Sequence, residues 1–182
     1  MAGGVRVAED GGVDADGCAA DHGEVERVAR AGVDLDGPFR GTPAYEPDPR
    51  WAVTGRYVLF AEPRPTLVGS VVDGLEHVYD APGQVEFTLD GRELSLTAFP
   101  GHEPGGLTIL FTDATSGVTT YAANRSLQVP AIGADGTVVV DFNRAANLPC
   151  AYTNLATCPL PPTENRLPIA VEAGEKIPHE RR

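Results

Sequence analysis

Lysine is almost absent from this chain: Lys176 is the only one, and the other 13 basic residues are arginines. Positive charge as a whole is scarce. Fourteen Lys and Arg face 26 Asp and Glu, for a formal net charge of −12 and a pI near 4.6. Nucleic acid and anionic membrane surfaces both demand clustered basic side chains, so neither is expected as a partner. No apolar run approaches the ~20 residues that span a bilayer. The start, Met1-Ala2-Gly3-Gly4-Val5-Arg6, turns acidic without the apolar stretch of a signal peptide. These absences point to a cytoplasmic address, where Cys18, Cys150 and Cys158 are expected as thiols. Phosphate-loop and dinucleotide fingerprints are also missing, since Gly3-Gly4 and Gly105-Gly106 lack a strand–helix frame. No cofactor is expected.

What is present fits one globular domain with an appendage. The chain has 182 residues, 42% of them hydrophobic and 22% charged. A chain of this length buries roughly 70% of its unfolded surface and needs no metal or disulfide to fold. The first 36 residues carry nine acids and three arginines among recurrent glycines. Residues 1–38 are therefore expected to be an acidic, loosely ordered appendage. Residues 39–177 are expected to be the domain, and 178–182 a polar tail. Pro43, Pro47 and Pro49 stiffen a segment flanked by Tyr45 and Trp51, which suits a lid over one end of a core with Trp51 packed inward.

The domain reads as strands. Val53–Phe60 is apolar and β-prone, and Thr66–Val72 and Leu75–Tyr79 flank Asp73-Gly74. Val85, Phe87 and Leu89 alternate with polar residues up to Asp90-Gly91, and Leu94, Leu96 and Ala98 alternate on the return. Period-two alternation on both sides of an Asp-Gly pair is a strong hairpin signal. Leu107–Phe111 is continuously apolar and is expected to be buried on both faces. Val118–Tyr121 and Ser126–Val129 are shorter candidates, and Thr137–Phe142 follows a third Asp-Gly turn at Asp135-Gly136. The expected fold is all-β, a single antiparallel meander closing into a small barrel or sandwich. Residues 143–166 are expected to form a proline-rich C-terminal flap, and Leu167–Ala173 a last closing strand.

Two polar segments carry the candidate chemistry. In Asp113-Ala-Thr-Ser-Gly117, side chains that bond to nearby amides favour a self-capping turn. Asp113, Tyr121 and Arg125 could instead converge as an acid, a hydroxyl donor and a carboxylate clamp. Asp141-Phe142-Asn143-Arg144 ends a strand, with Asp141 and Asn143 on one face and Phe142 on the other. These groups and Asn147 could line a barrel mouth or merely pin the flap to the sheet. Cys150 and Cys158 are weak zinc candidates, because no pair of histidines accompanies them. Two buried thiols acting as small hydrophobes is the favoured reading. Glu164 is a lone candidate acid or base, and Lys176 is expected to pair with Glu172 or Glu175.

Longer stretches are specific enough to name a family. "LTAF" (96–99), "FTDATSGVTTYAANRSL" (111–127) and "VVVDFNRAANLPCAYTNLATCPLPPTENRLPIAVEAGEK" (138–176) resemble the bacterial and archaeal family known as domain of unknown function 1684. The resemblance reaches back more loosely to "FRGTPAYEPDPRW" (39–51). It marks Asp113, Thr115, Gly117, Thr120, Tyr121, Arg125, Asp141, Asn143, Arg144, Asn147, Cys150, Tyr152, Cys158, Glu164, Asn165, Glu172, Gly174 and Lys176 as motif positions, and it implies no reaction. Ala145-Ala146-Asn147-Leu148 departs from that family's usual Ala-Tyr-Asn-Pro.

Three functional readings follow. The first is a small-molecule binding module whose pocket, with Tyr121, Arg125, Asn143, Arg144 and Asn165, takes an anionic metabolite. The second is a hydrolase or isomerase using Asp113, Asp141 or Glu164 in the same pocket. The third is a structural domain in which these groups only hold the flap.

Overall fold

The computed structural model describes residues 41–130 and 132–179; the expected appendage over 1–38 lies outside the described residues, as does the end of the expected polar tail (180–182). Six strands form one antiparallel sheet: β1 (Ala52–Gly69), β2 (Glu76–Leu89), β3 (Arg92–Pro100), β4 (Leu107–Phe111), β5 (Arg125–Val129) and β6 (Thr137–Asp141). The spatial order is β5-β4-β3-β2-β1-β6. Five strands therefore follow the expected meander, and the sixth returns to the free side of β1. The two runs expected around Asp73-Gly74 are the arms of one long hairpin, with Leu67 opposite Val78 and Gly69 opposite Glu76. At the β2–β3 turn both Asp90 (φ 50°) and Gly91 (φ 73°) take the left-handed conformation, as a two-residue turn matched to strand twist requires.

Alternation decides the core. Val85, Phe87 and Leu89 on β2 face inward with Leu96, Ile109, Phe111, Leu127, Val138 and Val140. Phe142 closes the cluster, its ring 5.7 Å from that of Phe87 and 5.5 Å from that of Phe111. Every residue of β4 is buried, as its unbroken apolar run implied. Trp51 is 2% exposed, at the end of a 3₁₀ turn (Pro49–Trp51) in which the Asp48 side chain accepts from Arg50 N.

Three expectations need correction. The sheet curls into a half-barrel and does not close: β5 and β6 remain its two edges. Just after β6 the chain is joined to β5 by a two-bond bridge, Ser126 to Ala146 (2.8 and 2.9 Å). Leu167–Ala173 is not a strand. Pro168 offers no amide donor, and the carbonyls of Val171 and Ala173 are taken by the Arg125 guanidinium, where a neighbouring strand would have supplied amides. Val118–Tyr121 is a tight turn, with the amides of Val118, Thr119 and Thr120 all directed at the Thr115 carbonyl.

The flap is laced to the far end of the long hairpin. Leu160 N donates to Gly69 O (2.8 Å), Val71 N to Cys158 O (3.0 Å) and Ser70 Oγ to Thr157 O (3.1 Å). From there the chain meets β3 and β4 through Asn165 and ends as a strap (residues 166–177) whose backbone bonds to Thr112, Ala114, Ala145 and Pro43. No helix among the described residues is long and apolar enough to cross a membrane.

Candidate functional site

The β4–β5 connection builds the most buried polar cluster. Arg125 opens β5 opposite Phe111 at the end of β4, so its side chain starts inside the curl, and it is 1% exposed. Its Nη2 meets Asp113 Oδ2 at 2.7 Å and also donates to Val171 O (3.1 Å). Its Nη1 donates to the Ala173 carbonyl. The guanidinium lies 5.0 Å from the Phe111 ring centre. Burial lowers the Arg125 pKa, and the adjoining Asp113 carboxylate opposes that shift; an arginine in such a pair stays charged. The other carboxylate oxygen, Asp113 Oδ1, accepts from Thr115 N (2.7 Å), Thr115 Oγ1 (2.6 Å) and Val171 N (3.2 Å). Asp113 is thus both the self-capping turn residue and the partner of Arg125. The carboxylate that the arginine clamps belongs to the protein itself.

Asn165 is fully buried and acts at a second anchor. β3 and β4 pair only through Phe99–Thr108 and Pro100–Leu107, then splay. The Asn165 carboxamide enters the gap. Its Oδ1 accepts from Thr97 N (2.7 Å), and its Nδ2 donates to Thr97 O and Leu110 O (both 2.8 Å). One side chain replaces the missing ladder. Beside it, Glu164 is exposed and accepts from Thr97 Oγ1 (3.2 Å).

A third anchor lies at the end of β6. Asp141 Oδ1 accepts from both the backbone and the side-chain nitrogen of Asn143 (3.1 and 2.9 Å). Asn143 in turn exchanges hydrogen bonds with the backbone of Asp48 (3.0 and 2.9 Å), clipping the entry segment to the sheet. Tyr121 donates to Cys150 O (2.8 Å). Arg144 is exposed. The structure therefore brings Asp113 and Arg125 into contact, sets Glu164 beside Asn165 and Asp141 beside Asn143, and leaves these groups at three separate anchors. Cys150 and Cys158 are both buried. No group of three or more His, Cys, Asp or Glu among the described residues is arranged to hold a metal ion. Lys176 lies 4.1 Å over the Tyr45 ring.

An open groove of about 520 Å³ lies elsewhere, against β1, β2 and β3. Its side chains include Thr54, Arg56, Gln84, Glu86, Thr88, Glu93 and Ser95. They alternate with the inward residues of the same strands, so they project from the face opposite the core. Register places Arg56 beside Glu86, Glu86 beside Ser95, and Thr88 beside Glu93. Gln84 Nε2 donates to Glu86 Oε1 (2.8 Å).

Residues 37–176 match the family model described as a protein of unknown function, DUF1684. The chain belongs to the DUF1684 family. Among solved structures, it is similar to the solution NMR structure of an uncharacterized protein of Haloarcula marismortui, at 31% identity and a TM-score of 0.62, covering 76% of this chain and 77% of that one. No curated protein matches. In this DUF1684 domain the motif positions Asp113, Thr115, Arg125, Asp141, Asn143 and Asn165 all bond to the protein's own backbone or side chains. The groove residues Arg56, Gln84, Glu86, Thr88, Glu93 and Ser95 were not singled out from the sequence. Their signal was the polar phase of the same alternation that revealed the DUF1684 core.

Proposed function

We propose that this DUF1684 domain is a small-molecule binding module whose ligand lies in the groove on β1–β3, while the family's motif residues hold the fold. The observation that carries this reading is the groove itself. Its volume of about 520 Å³ falls within the usual range for small-molecule sites, and its outward side chains are polar and accessible. The arginine pocket for an anionic metabolite has weaker support: to grip an anion, Arg125 would have to release Asp113 and two strap carbonyls. Arg144 is the exposed arginine left to that version. The enzymatic reading requires carboxylates converging on one cavity, and Asp113, Asp141 and Glu164 are attached at different anchors.

A thermal-shift screen against a metabolite library tests the proposal. At least one compound is expected to raise the Tm, and the rise should vanish in Glu86→Ala and persist in Arg144→Ala. A rise lost only in Arg144→Ala returns the ligand to the arginine side. No rise with any compound removes the binding reading.

A further inference from the structure

The groove's lining restricts the chemistry of its occupant, given the reading that it is the ligand site. Glu86 and Glu93 only accept hydrogen bonds when ionised, and Arg56 only donates. Gln84 gives an amide proton to Glu86 Oε1, which leaves its own carbonyl oxygen as an acceptor. Thr88 and Ser95 do both. On β2 and β3, Glu86 is paired with Ser95 and Thr88 with Glu93 on adjacent outward rungs. The two carboxylates therefore occupy one diagonal of a four-residue square and the two hydroxyls the other, with diagonal neighbours roughly 7–8 Å apart.

This arrangement selects by exclusion and by match. An anion meets two carboxylates, and Arg56, set beside Glu86, competes with a cation for that carboxylate. An apolar molecule would strip water from seven polar side chains and return no hydrogen bonds to them. A molecule with adjacent hydroxyls suits the polar side chains of the lining: each hydroxyl donates to a carboxylate or the Gln84 carbonyl and accepts from Arg56, Thr88 or Ser95. We propose that the groove binds a neutral polyhydroxylated ligand, with a saccharide unit presenting its vicinal hydroxyls to Glu86 and Glu93.

The test is a titration of the full-length, ¹⁵N-labelled chain followed by amide chemical shifts, with maltose, cellobiose and trehalose as probes. Succinate and putrescine serve as singly signed controls. The expected result is saturable shifts from at least one disaccharide, confined to residues 54–56, 84–88 and 93–95. The affinity should fall at least about tenfold in Glu86→Gln and in Ser95→Ala, both exposed substitutions that leave the core untouched. Saturable shifts at the same amides from succinate or putrescine, and not from the sugars, overturn the ligand class and leave the groove as the site. Saturable shifts elsewhere, or only uniform non-saturating drifts, overturn both the class and the groove.

Discussion

Arg125 directs its guanidinium at groups of the protein itself. A guanidinium buried to 1% exposure has lost its hydration, and the compensating bonds come from Asp113, Val171 and Ala173. Removing one partner of such a pair leaves a buried charge without its counterion, which costs about 3–5 kcal/mol. Arg125→Met is therefore expected to lower the unfolding free energy by about that amount in urea titrations, and Arg144→Ala to change it little. Asn165 makes a parallel case without charge. Asn165→Leu leaves Thr97 N, Thr97 O and Leu110 O buried and unpaired, at about 1–3 kcal/mol for each group that water cannot reach. We expect a loss of at least ~2 kcal/mol, measured the same way.

The strap and the long hairpin illustrate opposite extremes among the elements. Gly174 turns the strap with a φ of +72°, and a Cβ there would run into the Ala145 carbonyl oxygen and come within 2.9 Å of the Phe142 carbonyl oxygen. The left-handed conformation alone costs an L residue about 1–2 kcal/mol. Gly174→Ala is expected to cost more than that, because backbone is the obstacle, and a lowered Tm would register it. The distal part of β1 is held more loosely. Its pairing with β2 breaks between Leu59 and Arg64, and β6 flanks it only as far as Arg56. Pro63 and Pro65 protect this edge from a foreign strand. Amides of Ala61, Glu62 and Thr66 should exchange with solvent roughly 100-fold faster than those of Val85–Leu89 in β2. Equal protection in the two regions would show that the hairpin opens only with the whole sheet.

At the scale of the whole molecule, the long-range anchors should set an alkaline limit on stability. Burial raises the Tyr152 pKa above its usual value of 10.0, and Tyr57 is raised by the same cause. The Tyr152 hydroxyl also contacts Thr42 Oγ1 (2.8 Å) and Glu175 Oε2 (3.3 Å), joining entry, flap and strap. In the unfolded chain both phenols ionise near pH 10. Above that pH the folded state holds more protons than the unfolded one, so stability falls as pH rises. The unfolding free energy should be flat with respect to these groups below about pH 9 and decline above pH 10. The decline should be shallower in a Tyr57→Phe, Tyr152→Phe double variant. An unchanged slope would show that other groups set the limit.

The sequence by itself determined most of the strands, the Asp-Gly hairpins and the core face of β2 and β3, because alternation and turn conformation are local properties of neighbouring residues; the same local reading placed strands at Val118–Tyr121 and Leu167–Ala173, where the structure has a turn and an irregular strap. It also announced the continuous burial of β4 and the inward Trp51. Only the tertiary structure decided what the polar residues do. Arg125 meets carbonyls 46 and 48 residues away, and Asn165 fills a gap between strands 68 and 55 residues away. The turn at Asp113 was visible from its neighbours; the guanidinium on its second oxygen was not. The open seam between β5 and β6 likewise depends on how far the whole sheet curls, which no single stretch of sequence records. Contacts between distant segments arise from the summed twist and packing of all the strands, so they exist only once the chain has folded.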